Sequence, residues 1–276
     1  MCLALIGLRK HPRYPLIIAA NRDEFHSRPA LAAHWWASGA LAGKDMSGGG
    51  TWFGVSPTGR WALVTNFREG SPRDPNAPSR GHLVTDALAD RRRPLVAAAS
   101  MAINGWQYHG FNLLIGDVDE AAYTSNRASG ALALSSGTFG VANHLLDTPW
   151  SKVVRGKASF SDWLAHDDPP LDAGFALLND RRGSDDDALP ATGVSRERER
   201  LLSAPFVLSA DYGTRCSTLL MIASDRTARF AERRFDAAGV ISGETRHEFE
   251  LKRSDTAGLV TRADTGSPAS PVSDRR

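Results

Sequence analysis

The stretch CLALIGLRKHPRYPLIIAANRDE, residues 2–24, decides how the chain is read. Two apolar runs, 2–8 and 15–20, flank a short polar link that contains Pro12. Paired apolar runs across such a link predict a hairpin of buried strands. If the strands are antiparallel, the end of the second lies beside the start of the first, and Asn21-Arg22-Asp23-Glu24 adjoins Cys2. Cys2 stands out by its position. Trimming of Met1 before a small residue leaves cysteine first, carrying both a thiol and a free α-amine. The amine titrates near about 7.7–8.0 and the thiol near about 8.5, so one residue holds a nucleophile and its base. A small buried residue on an opening strand is the other reading.

Outward from the hairpin, residues 26–44 read as an irregular excursion with short strands, and 47–50 as a flexible loop. Strands at 52–55 and 61–67 flank the turn Ser56-Pro57-Thr58-Gly59. Residues 69–79 carry three prolines and read as a loop; 81–88 and 96–101 read as helical. A further hairpin is expected over 111–117 and 121–125, a strand at 139–142 and a helix at 150–164. Late strands fall at 206–208, 218–224 and 227–235, with 247–252 closing the sheet. Many hairpins with segregated helices predict α+β layering in a single domain over 1–258, followed by a disordered tail at 259–276.

The composition restricts function. With 33 basic and 31 acidic residues the net charge is +2, and the arginines are interleaved with acids, as in Arg196-Glu197-Arg198-Glu199-Arg200. That run reads as a solvated helix face. Arg91-Arg92-Arg93-Pro94 reads as a helix end stopped by proline. No nucleic-acid partner is expected. No apolar run approaches the roughly 20 residues of a membrane span, so stable membrane insertion is not expected and a cytoplasmic location is. Two cysteines make no disulfide framework.

Further candidates end or precede apolar strands. A guanidinium at Arg22 can stabilise a thiolate, and a carboxylate at Asp23 or Glu24 can orient the amine. Asn66 and Asn143 close strands where a carboxamide can donate to an oxyanion. His144 is a base, a ligand or a polar cap. Arg215 precedes a late strand.

Three blocks, AANRDEFHSR (19–28), GGTWFGVSPTGRWALVTNFR (49–68) and ANHLLDTPWSKVVRGK (142–157), resemble the NRDE family, whose eukaryotic members are called transport and Golgi organization proteins. The resemblance extends to about Arg253, with Cys216 where a serine is more usual. That family in turn resembles the N-terminal-cysteine hydrolases, which include bile salt hydrolases and penicillin V acylases. It implies an α+β fold, a four-layer αββα sandwich of the N-terminal-nucleophile hydrolase type. It implies Cys2 as nucleophile, Arg22 and Asp23 as its partners, Asn66 and Asn143 as oxyanion amides and Arg215 as a second arginine. Asn21, Glu24, His144 and Trp52 are expected around them. Because adjacent strand residues point to opposite faces, Arg22 and Asp23 share a side only if the strand has ended or bulged. The implied activity is cleavage of the C–N bond of a small acyl amide, with no metal and no required cofactor. The alternative is a carrier or chaperone for haem or an acyl lipid, since family members have been linked to haem mobilisation and acyl-lipid metabolism. Haem is thus a candidate bound ligand, with His26, His34, His82, His109 and His144 as candidate ligands to it.

Overall fold

A computed structural model of the chain describes residues 3–70 and 74–253. Cys2 and the expected tail at 259–276 lie outside the described residues. The chain opens with strands β1 (Leu3–Leu8), β2 (Leu16–Phe25), β3 (Ala30–Trp35), β4 (Leu41–Asp45), β5 (Phe53–Val55) and β6 (Trp61–Asn66). Helices α1 (Gly81–Ala89) and α2 (Pro94–Asn104) follow, then β7 (Phe111–Gly116), β8 (Ala121–Ser125), β9 (Ala131–Leu134) and β10 (Gly137–Val141). Helices α3 (Ser151–Leu164), α4 (Leu171–Leu178) and α5 (Arg196–Leu201) precede β11 (Tyr212–Ile222), β12 (Thr227–Phe235) and β13 (Ile241–Glu250).

The strands form two antiparallel sheets. The first has the order β10-β1-β2-β11-β12-β13, and the second runs from β3 to β9 in sequence order. Alternation along the strands builds three apolar layers. Ala4, Ile6, Ile18, Leu220 and Phe230 of the first sheet face Phe53, Trp61, Leu63 and Leu114 of the second. The opposite face of the first sheet, with Leu5, Ile17, Ala19 and Leu219, packs on Val153, Phe160 and Trp163 of α3 and on Phe175 and Leu178 of α4. The outer face of the second, with Ala62, Leu113 and Ile115, packs on Leu83 and Val84 of α1 and Ala97 and Ala98 of α2. The order is helix, sheet, sheet, helix: an αββα sandwich of the α+β class.

The opening hairpin is present, with Leu3 opposite Asn21 and Leu8 opposite Leu16. Its second strand, however, continues to Phe25 without a break. The polar run does not exit into solvent, because β11 extends back to Tyr212 and pairs with it residue by residue. The irregularity lies on β11 instead. Thr214 faces Asp23 and Cys216 faces Arg22, so Arg215 is the extra residue of a bulge. Pro94 does not stop the preceding helix; α1 has already ended at Ala89, and the proline occupies the first turn of α2, where its missing N–H costs nothing. Among the described residues, no helix is long and apolar enough to cross a membrane.

Candidate active site at one end of the sandwich

The start of β1, the end of β2 and the end of β10 lie at one end of the first sheet, with Leu3 opposite Asn21 and Ala4 opposite Val141. Backbone and carboxamide hydrogen bonds of Asn143 join this end to the second sheet. Asn143 Nδ2 donates to the Asn66 carbonyl (3.0 Å), and Arg68 N donates to the Asn143 carbonyl (2.7 Å). The loop after β10 is itself anchored from below. Asn112 Nδ2 donates to the His144 carbonyl (2.9 Å), and Leu146 N donates to the Tyr123 hydroxyl (3.2 Å).

Because β2 stays a strand, its polar run divides between two faces. Arg22 points between the sheets, with Nη2 on Asp45 Oδ2 at 3.0 Å and the guanidinium 4.4 Å from the Trp52 ring. Its Nη1 is buried and has no hydrogen-bond partner among the described residues. Trp52 is held there by Gly43, where an added Cβ would lie 2.4 Å from the indole. Asn21 and Asp23 take the other face. Asn21 is fully engaged, donating to the Leu178 and Pro205 carbonyls and accepting from Ser217 Oγ at 2.6 Å. Asp23, 1% exposed, accepts from Thr214 Oγ1 through Oδ1 (2.7 Å), while Oδ2 is buried without a partner among the described residues. Glu24 returns to the Arg22 side, accepting from Phe25 N (2.9 Å) with Arg28 Nε at 3.8 Å.

Two adjoining cavities of about 410 and 850 Å³ form a cleft here, and both are lined by Glu24, Phe25, Asn66, Arg80 and His109. The smaller reaches Arg68, Asn143 and Arg198; the larger reaches Arg22, Arg28, Trp52 and His82. Asn66 lines both, and its carboxamide makes no hydrogen bond among the described residues. Arg22, Glu24, Asn66, Asn143 and Trp52 are thus gathered around one opening, whereas Asn21, Asp23, His144 and Arg215 do not line it. His144 is wedged between Phe67 and Trp150, its Nδ1 2.9 Å from Thr148 Oγ1. Arg215 Nη1 donates to the carbonyls of Phe25 (2.9 Å) and His26 (3.0 Å) and so clamps the turn that follows β2.

Composition also hid several groups. Glu199, read as part of a solvated helix face, is 2% exposed and pairs with Arg68 at 2.6 Å, while accepting from Thr192 N at 2.9 Å. Arg68 in turn donates to Asn143 Oδ1 (3.2 Å) and stacks on Trp150. Lys152 is buried and donates to the Leu202 carbonyl at 2.9 Å. A charged run gives no sign of which member turns inward; only the partner, far away in sequence, decides that.

The electrostatics follow the packing. Burial alone would raise the Asp45 carboxyl, but hydrogen bonds from Arg28 and Gly48 and the charges of Arg22 and Arg28 hold it below the usual aspartate range. Burial pushes the Cys216 thiol well above its ordinary value, and the nearby Glu232 carboxyl adds to this. Glu232 is itself raised by burial. Burial and the neighbouring Arg22 charge lower the Arg215 guanidinium.

A family profile described as Transport and Golgi organisation 2 matches residues 1–237. The chain is 36% identical over 277 residues to the Transport and Golgi organization protein 2 homolog of Bos taurus, covering 91% of this chain and 100% of that one. It is 33% identical over 276 residues to the homolog of Homo sapiens, with 91% and 100% covered. Among solved structures, the Caenorhabditis elegans N-acylethanolamine-hydrolyzing acid amidase ortholog is similar at a TM-score of 0.46 and 9% identity, covering 79% of this chain and 92% of that one.

Proposed function

The chain belongs to the Transport and Golgi organisation 2 family, and on that premise we propose that it hydrolyses small acyl amides, with the thiol of Cys2 as nucleophile once Met1 is removed. The observation that carries this reading is the set of uncommitted polar groups where β1 begins. Arg22 Nη1 is a buried donor without a partner and Asp23 Oδ2 a buried acceptor without one, both among the described residues, and Asn66 lines the cleft. Thiol and α-amine leave the cysteine Cα in different directions, so one residue can use both faces of β2. The guanidinium suits the thiolate and the carboxylate suits the ammonium.

In the proposed reaction the Cys2 amine takes the thiol proton and the sulfur attacks the amide carbon. The oxyanion that forms is held by the Asn66 and Asn143 carboxamides. Collapse breaks the C–N bond, and the ammonium protonates the leaving amine, leaving a thioester. Water then adds to the thioester carbon, its proton passes to the amine, and the C–S bond breaks. The thiolate recovers the proton and a carboxylic acid departs. Purified protein incubated with N-acyl amides of graded chain length is expected to release free amine, and Cys2→Ala to release none. Equal release by both proteins contradicts the mechanism.

A carrier role uses the same cleft without chemistry. His82 and His109, two of the histidines considered as haem ligands, line the larger cavity. Saturable Soret absorbance on haem titration, lost in His82→Ala/His109→Ala, supports that role, and absence of a saturable change removes it.

A further inference from the structure

The core between the sheets is not wholly apolar. Across the inner face of the first sheet, Arg22 lies opposite Cys216, Cys216 opposite Arg234, and Arg234 opposite Gly243. The adjacent row runs from Thr218 to Glu232 to Thr245. Directly opposed residues share a face, and Cys216, Leu220 and Phe230 place that face toward the second sheet. At a strand spacing of roughly 4.8 Å, the band runs about 14 Å from the floor of the cleft to β13.

Four of the side chains in this band, and one beside it, carry a buried polar atom without a partner among the described residues. These are Arg22 Nη1, Glu232 Oε2, Arg234 Nε, Thr245 Oγ1 and, beside Thr245, His247 Nε2. A single orphan is a local defect; five in or beside one band ask for a shared partner. They alternate in chemistry, with guanidinium donors at two places and carboxyl, hydroxyl and imidazole groups between and beyond. Buried water meets such a mixed set, making about three hydrogen bonds per molecule. The band also leads somewhere, from Glu232 at 1% exposure to half-buried Thr245 and His247 at the sheet edge.

We propose that this band is a buried water track, which feeds hydrolytic water to the cleft from the β13 edge. The inference rests on the hydrolase reading. An acyl group filling the cleft shields its own thioester from solvent in front, so a supply from behind restores access. Ala33 N donates to Glu232 Oε1 at 2.8 Å. Burial raises this carboxyl, and its other oxygen, Oε2, is the one left without a partner among the described residues. Each turnover consumes one water, added across the C–S bond as carboxylic acid and thiol, and the track replaces it.

The test has two arms. A high-resolution crystal structure is expected to show ordered water within hydrogen-bond distance of Glu232, Arg234 and Thr245; a dry band overturns the proposal whatever the activity. In rapid-mixing experiments with a turned-over N-acyl amide, Glu232→Leu and Thr245→Val are expected to leave the first release of amine unchanged. Release of acid is expected to slow by about an order of magnitude, with acyl-Cys2 accumulating in intact mass spectra. Glu232→Gln, which keeps the hydrogen-bonding capacity, is expected to behave as wild type. Unchanged acid release in both blocking variants overturns the supply role. Ordered water in a chain that cleaves no amide instead sinks the hydrolase reading and leaves the track in place.

Discussion

Asp23 and Glu24 are adjacent carboxylates with different surroundings, and they are expected to fail differently. Asp23 is buried with one oxygen that has no partner among the described residues, whereas Glu24 lines the cleft. Asp23→Asn is therefore predicted to lower kcat by about 100-fold through loss of the charge that orients the amine, and Glu24→Gln to act mainly on KM. Steady-state kinetics of the two variants separate these outcomes; a kcat effect confined to Glu24 reverses the assignment. The two asparagines differ in the same way. The Asn66 side chain makes no hydrogen bond among the described residues, so Asn66→Ala is predicted to cost about 100-fold in kcat with an unchanged Tm. Asn143 joins the Asn66 carbonyl to Arg68, and Asn143→Ala is predicted to lower both kcat and Tm. At this scale the sequence was informative about residue type and silent about facing. Strand-end asparagines and an NRDE run mark a polar end, but the direction of Asp23 depends on β2 continuing to Phe25, which β11 enforces from almost 200 residues away.

Among elements, the opening hairpin was legible because both its strands are continuous apolar runs. Helix α4 and strand β9 were not: both are short, and α4 owes its form to the sheet it covers and β9 to its pairing with β8. Helix α5 was misread for a related reason. Five residues of alternating charge, Arg196 to Arg200, look solvated, yet Glu199 closes the ion pair that fixes Arg68 beneath Asn143. Removing one partner of a buried pair strands the other charge, so Glu199→Ala is predicted to destabilise the fold by about 3 kcal/mol. Chemical denaturation measures this; a change below about 0.5 kcal/mol would place the pair in the solvent-exposed class.

For the whole molecule, the sandwich depends on joints between its sheets at the cleft, and one of them titrates. Asp45 receives Arg22 from the first sheet and Arg28 from the turn after β2. Its folded-state pKa is depressed, so its contribution is present above the ordinary aspartate value of about 3.9 and is lost as pH falls through the depressed value. Melting curves between about pH 2 and 6 are expected to show an acid-side loss of Tm that is reduced in Asp45→Asn. An identical slope in both proteins would remove Asp45 as the joint. The layer order itself came only through the family resemblance of the sequence blocks, because the strand pattern alone gives α+β layering and no order of layers. The cleft was not, because it exists only where the ends of β2, β6 and β10 meet.

The central claim is that the mature chain begins at a reactive cysteine beside this cleft. Intact mass spectrometry after brief exposure to p-nitrophenyl octanoate tests it most directly. The account predicts a chain lacking Met1 that gains one octanoyl group on Cys2, with no gain in Cys2→Ala. A chain that retains Met1, or a gain of mass that survives the substitution, contradicts it.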